Sequence, residues 1–196
     1  MDQIKVKNIL IAVSNKETID KLLPLIKSDK IWATEGTAKY IKLKVETVNP
    51  VALGFDFDGR VKTIDRNTFI RILADRSKKR HILELSKLAS QGEALQGWKA
   101  GMEPFDLIIV DLYPLDKKNF PEFMDIGGQA LIRAAIKNYK YVALAFDAES
   151  IKDLAEELRL KRGETSLAFR KAQAKAAIEF IAERCKVEAG LLGLLR

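Results

Sequence analysis

The chain has 196 residues, 47% apolar and 31% charged, with a formal net charge of +7, one histidine and one cysteine. That balance fits one globular domain with a substantial core, and excludes disorder and any apolar run of the ~18 residues needed to cross a membrane. His81 and Cys185 cannot between them build a His/Cys metal centre. Cys185 has no partner for an intrachain disulfide, and any Ser-His-Asp triad would have to use His81.

Lys7–Val13 (KNILIAV) is a compact apolar run that predicts a buried strand, with Ser14 after it as an N-cap. Glu17–Lys27 carries Ile19, Leu22, Leu23 and Ile26 at helical spacing. A short strand at Ile31–Ala33 leads through Thr34-Glu35-Gly36-Thr37 to a helix from Ala38, and Val45–Val48 predicts another strand before Pro50. An irregular stretch with Gly54 and Gly59 comes next, then a largely helical region over 67–90 and a glycine-bearing loop over Gln91–Gly101. Phe105–Leu112 (FDLIIVDL) is the strongest strand and the expected centre of a parallel sheet. Tyr141–Phe146 is the last strand, and helices at Ser150–Leu160 and Thr165–Cys185 close the chain.

Alternating strands and helices predict an α/β fold of three layers, an open and mainly parallel sheet flanked by helices. Ligands of such sheets sit outside the carboxyl ends of the strands, where the loops Ser14-Asn15-Lys16, Thr34–Thr37 and Asp111–Pro114 fall. Neither a G-x-x-x-x-G-K-[ST] loop nor a G-x-G-x-x-G fingerprint is present. Any chemistry must therefore use lysines, carboxylates, tyrosines and backbone amides. The positive charge suits a solvated basic surface first, a small phosphorylated ligand second and nucleic acid last, since Lys78-Lys79-Arg80 has no interleaved aromatics.

The most informative segment is Phe123–Asn138, FMDIGGQALIRAAIKN. Asp125 stands beside Gly127 and Gly128 at the start of a helix whose Arg133 and Lys137 lie four residues apart on one face. Unpaired first-turn N–H groups and the positive dipole end make such an entry receptive to an anion or a carbonyl oxygen, and glycine lets the ligand approach the backbone.

The segments ILIAVSNK (9–16), ATEGTAKYI (33–41), DGRVKTI (58–64), FDLIIVDLYP (105–114) and DIGGQALIRAAIKN (125–138) together resemble the IMP cyclohydrolase domain. That domain is the N-terminal half of the bifunctional purine-biosynthesis enzyme that also carries a formyltransferase. The motifs occur in the family's order, and the resemblance continues loosely to about residue 185. It implies a methylglyoxal-synthase-like fold, with 1–196 forming a single stand-alone domain that lacks the formyltransferase. The implied reaction closes 5-formamidoimidazole-4-carboxamide ribotide to inosine monophosphate with loss of water. It implies no metal or organic cofactor, a cytoplasmic homodimer, a purine ribotide as substrate, and a separate protein supplying the formylated substrate. Nucleic acid and membrane are not expected partners.

By the same resemblance, Lys62, Tyr113, Asp125 and Lys137 form the catalytic set. Lys62 or Lys137 would exchange protons with the formyl oxygen, Asp125 would assist the carboxamide nitrogen, and Tyr113 would complete the relay. A straight helix from Gly128 to Lys137 rises roughly 13 Å, so Lys137 serves only a substrate lying along the helix or loops folded over it. Phosphate and substrate contacts would come from Ser14, Asn15, Lys16, Thr34, Glu35, Gly36, Thr37, Arg60, Val61, Thr63, Asp111, Ile126, Gly127 and Gly128. Ser14 and Thr37 equally suit N-capping, as does Asp125. The chain departs from the family at Glu35, usually glycine, at Asp111, usually asparagine, and at Ile64-Asp65-Arg66, usually leucine-histidine-proline. A non-catalytic module of the same fold that binds a purine ribotide or phosphate is the alternative.

Overall fold

A computed structural model describes residues 2–26, 30–41, 45–47, 63–90 and 102–193. The strands are β1 (Gln3–Lys5), β2 (Asn8–Ala12), β3 (Lys30–Ala33), β4 (Val45–Thr47), β5 (Leu107–Val110), β6 (Ala143–Ala145) and β7 (Glu164–Ser166). The helices are α1 (Leu23–Ile26), α2 (Glu35–Tyr40), α3 (Arg66–Leu73), α4 (Lys79–Ser90), α5 (Ile126–Lys137), α6 (Ala148–Leu160) and α7 (Leu167–Leu191).

Five strands form one parallel sheet in the order β4-β3-β2-β5-β6. Ile9 of β2 pairs with Ile31 of β3 on one side and Leu107 of β5 on the other. The unbroken apolar runs of β2 and β5 result from burial on both faces, which removes the alternation of a half-exposed strand. Leu10, Trp32, Ile108, Val110 and Leu144 meet residues of α3, α4, α5 and α7 on one face. Ile9, Ile11, Ile31, Ile109 and Ala145 meet Ile19, Leu22, Ile26, Ile41 and the α6 residues Ile151, Leu154 and Leu158 on the other. The three layers expected from the sequence are present. Among the described residues no helix is long and apolar enough to cross a membrane.

Several boundaries differ from the sequence reading. Glu17–Lys27 is not one helix but a 3-10 turn at Lys16–Ile19 and then the short α1. Pro24 explains the break, because it has no N–H to give and its ring opposes a continuous helix through the preceding turn. Region 67–90 divides into α3 and α4 around a turn in which the Asp75 carboxylate accepts from the Ser77 N–H and hydroxyl. β1 and β7 pair antiparallel, an element the sequence did not announce because each strand has only three residues. Arg162 and Gly163, at φ 53° and 83°, turn the chain out of α6 into β7. α2 begins at Glu35 rather than Ala38, and α7 runs six residues beyond Cys185, to Leu191. Gly54, Gly59, Val48 and Gln91–Gly101 lie outside the described residues.

Candidate active site

β2 lies at the middle of the sheet; the chain goes on from it to β3 on one side and returns as β5 on the other. Loops leaving two such neighbours run apart and open a crevice at their carboxyl ends. Here a single side chain spans it. The Asp111 carboxylate, just after β5, accepts backbone N–H groups from both Ser14 and Asn15 after β2, the latter at 3.0 Å. The carboxylate in place of asparagine is thus explained: a loop with two N–H groups to satisfy is held by an acceptor-only side chain.

The β3 loop joins from the other side. Thr37 is fully buried; its hydroxyl donates to the Val13 carbonyl at 3.2 Å, accepts from the Val13 N–H at 3.4 Å, and accepts from the Thr34 hydroxyl at 3.0 Å. Thr37 and Ser14 therefore do not cap helices: Thr37 is the third residue of α2 and staples it to β2, while Asn15 and Thr34 occupy the cap positions. The Lys16 ammonium donates to the Ser14 carbonyl at 3.1 Å, and its Cε lies 3.7 Å from where a side chain on Gly36 would begin. Glu35 pairs with Lys39 at 2.7 Å on the exposed surface, so its charge is directed along α2.

α5 enters the same edge. Asp125 is its N-cap, accepting the Gly128 N–H at 2.6 Å. Packing also requires glycine at both positions of the pair. A Cβ on Gly127 would fall 2.3 Å from the Thr63 hydroxyl, and one on Gly128 would fall 2.7 Å from Leu112 and 2.8 Å from the Asp125 carboxylate. Thr63 and the end of β5 thus close against the first turn of α5. The N–H groups of Ile126 and Gly127 still lack an acceptor within the helix, by the geometry of any helix start. Asp65, one of the departures from the family, caps α3 by accepting the Thr68 N–H at 2.8 Å.

Burial pushes the Asp125 carboxyl above the usual carboxylate range. The N–H groups of Gly128 and Tyr113 and the Arg184 charge pull it down, and Asp111 pushes it up. The Tyr113 phenol is also raised, by burial first and then by the charges of Asp125 and Asp111. Tyr113 is nevertheless 52% exposed, its ring 6.0 Å from that of Phe123, which is exposed too. A basic carboxylate beside a phenol that stays protonated is a pair able to accept and to donate a proton.

Lys137 is not brought to this cluster. It is exposed in the last turn of α5, about 18 Å along the helix from Asp125. Arg60, Val61 and Lys62 lie outside the described residues, immediately before Thr63. Three residues escaped the sequence reading. Arg184 Nη2 donates to the Tyr113 carbonyl at 2.6 Å, its Nε lies 3.5 Å from Glu188, and Gln129 Nε2 donates to the same Glu188 oxygen at 2.7 Å. The available signal was the i, i+4 Arg184–Glu188 spacing on a helix expected to end at Cys185. No group of three or more His, Cys, Asp or Glu placed to hold a metal occurs among the described residues. A cleft of ≈ 430 Å³ between α3 and α4, lined among others by His81, Glu84 and Leu88, shares none of the residues named for the site.

No family model matches the chain. It is 33% identical over 190 residues to the bifunctional purine biosynthesis protein PurH of Agrobacterium fabrum, covering 90% of this chain and 33% of that protein. The PurH of Clostridium kluyveri is 35% identical over 177 residues, with coverages of 83% and 33%. The chain is a PurH-related domain. It spans about a third of the length of the curated relatives it matches, and the relationship fits the IMP cyclohydrolase domain to which the five motifs point. The crystal structure of ForH superposes with a TM-score of 0.75 at 26% identity, covering 96% of this chain and 97% of that one. The fold of this PurH-related domain is accordingly methylglyoxal-synthase-like, and its family belongs to purine biosynthesis.

Proposed function

We propose that this PurH-related domain is an IMP cyclohydrolase, closing 5-formamidoimidazole-4-carboxamide ribotide to inosine monophosphate with release of water. The observation that carries the reading is the meeting of Asp125, Tyr113 and Asp111 at the switch point of the sheet, on the loops where the cyclohydrolase motifs fall.

In this reaction the carboxamide nitrogen attacks the formyl carbon and gives up one proton, the formamide nitrogen gives up a second as the C=N bond forms, and the former formyl oxygen departs with both as water. An amide nitrogen is a poor nucleophile, so the site must take up the first proton as the C–N bond forms. A desolvated carboxylate whose affinity for protons is raised suits that role, which we assign to Asp125. Tyr113, kept protonated, donates toward the developing hydroxyl, and Lys62 stands next in the chain to Thr63, which touches the entry of α5. The amides of Ile126 and Gly127 suit a carbonyl oxygen. The exposed aromatic pair of Tyr113 and Phe123 offers a wall for the heterocycle, and Lys16 with the exposed backbone at Gly36 offers the phosphate a cation and a close approach. Because the reaction is intramolecular, holding the two substituents coplanar is itself a large part of the catalysis. We further propose that the protein works as a homodimer in the cytoplasm.

The reading of a binding module without turnover draws on one observation: Asp111 already occupies the Ser14 and Asn15 amides that would otherwise meet a phosphate. Incubation of the pure chain with the formylated ribotide, with chromatography of the products, separates the two. Inosine monophosphate formed faster than in protein-free buffer supports the enzyme; saturable binding with no product supports the module.

A further inference from the structure

We propose that Arg184, on the C-terminal part of α7, is a positioning residue of this site, holding the Tyr113 loop against the entry of α5 and supplying the positive charge that faces Asp125. The inference rests on reading this edge as a proton-transfer site.

Three contacts define the arrangement. The Arg184 guanidinium, 14% exposed, donates to the Tyr113 carbonyl at 2.6 Å. Its Nε lies 3.5 Å from Glu188 Oε1, whose side chain is 8% exposed. The same oxygen accepts from Gln129 Nε2, in the first turns of α5, at 2.7 Å. Glu188 thus fixes the guanidinium and the start of α5 to each other, and the guanidinium fixes the loop that carries Tyr113. Withdrawing an arginine and a glutamate from water carries a desolvation cost that apolar side chains of similar volume would avoid, so stability alone does not account for the pair.

Charge gives the arrangement a second consequence. The groups acting on Asp125 are Asp111 and the Tyr113 N–H from the β5 loop, the Gly128 N–H from α5 and Arg184 from α7. Among the described residues Arg184 is the cation that acts on it. It opposes burial and Asp111, keeping Asp125 ionisable while the pocket keeps it basic. A planar guanidinium suits this task because one nitrogen can donate to the carbonyl in a fixed direction while its delocalised charge stays beside the Glu188 carboxylate.

The test uses the full chain with Arg184→Met and Arg184→Lys. It reads the Asp125 carboxyl titration by carbon-13 NMR without ligand, and kcat and KM for cyclisation. Arg184→Met is expected to move the Asp125 midpoint further up and to lower kcat roughly tenfold, the scale of one charge-assisted hydrogen bond, with KM within about twofold. Arg184→Lys is expected to restore the midpoint and only part of kcat. If Met at this position disrupts folding, the lysine variant decides, since its reduced kcat at an unchanged midpoint is the signature of the lost donation to the Tyr113 carbonyl. A folded Arg184→Met with the wild-type midpoint, or an Arg184→Lys with wild-type kcat, overturns the proposal. If the unmodified chain forms no product, the cyclohydrolase reading fails, while the NMR titration still decides whether Arg184 governs Asp125.

Discussion

The two ends of α5 are built from one continuous motif and do opposite work. At the N-terminal end, Asp125 caps the helix, the glycine pair admits Thr63 and Leu112, and two carboxylates and a phenol stand together. At the C-terminal end, Asn138 is buried and donates to the carbonyls of Ile72 and Ala74 at 2.7 and 3.0 Å, tying α5 to the end of α3. Lys137 beside it faces solvent. Residues adjacent in a motif need not share a site: the length of one helix separates a place where chemistry can occur from a place where packing is secured.

The largest expected effect is at the N-terminal end. Asp125→Asn keeps an N-cap acceptor but removes the charge, and turnover should fall by about 10²-fold or more. Stability should move the other way. A carboxyl raised in the folded state contributes stability that is present below its unfolded value and lost as pH rises through the folded one. At neutral pH the wild type therefore carries an ionised, desolvated carboxylate that Asn lacks, so the variant should melt higher there, with the gap closing in acid. A lower melting temperature for the variant at pH 7 would refute this reading of Asp125. Tyr113→Phe, which keeps the ring against Phe123, should also reduce turnover, by roughly 10-fold or more, without lowering the melting temperature.

The opposite end should respond in stability alone. Asn138→Ala leaves two buried carbonyls without their donor, a loss of about 2–3 kcal/mol and roughly 5–10 °C in melting temperature, with kcat per folded molecule unchanged. Calorimetry beside active-site titration checks both halves. Gly127→Ala should cost about 1–3 kcal/mol, since its Cβ cannot coexist with the Thr63 hydroxyl unless one of them shifts. If the substitution is neutral, Thr63 is not held against α5 and the link from the site to residue 62 is weakened.

How much of the molecule was legible from its sequence depended on whether the cause was local. The apolar runs of β2 and β5 announce buried parallel strands because burial on both faces leaves no alternation to hide. Asp125 at a helix start is legible because a cap is a contact three residues long. The engagement of Asp111 with the Ser14 and Asn15 amides was not, since it closes across 96 and 97 residues of sequence. Nor were the roles of Thr37 and of Arg184, which meet Val13 and Tyr113 only once the sheet order and the length of α7 are known. Pro24 was readable as a helix breaker, and the periodicity of its neighbours outweighed it.

The smallest expected effect bears most directly on the contrast between the two ends. Lys137 belongs to the catalytic set by resemblance, yet α5 is one uninterrupted helix from Ile126 to Lys137 and places it about 18 Å from Asp125. A lysine side chain leans back toward the helix N-terminus but spans only a fraction of that distance. Within a single chain Lys137→Ala should therefore leave kcat and KM within about twofold, and its exposure predicts a stability change within about 0.5 kcal/mol. A hundredfold loss of turnover in a folded Lys137→Ala would mean that its ammonium reaches reacting atoms at some other surface. Mixing that variant with an inactive Asp125→Asn chain would then show where: recovered activity in the mixture requires a site assembled from two chains, whereas no recovery requires a substrate that lies along α5.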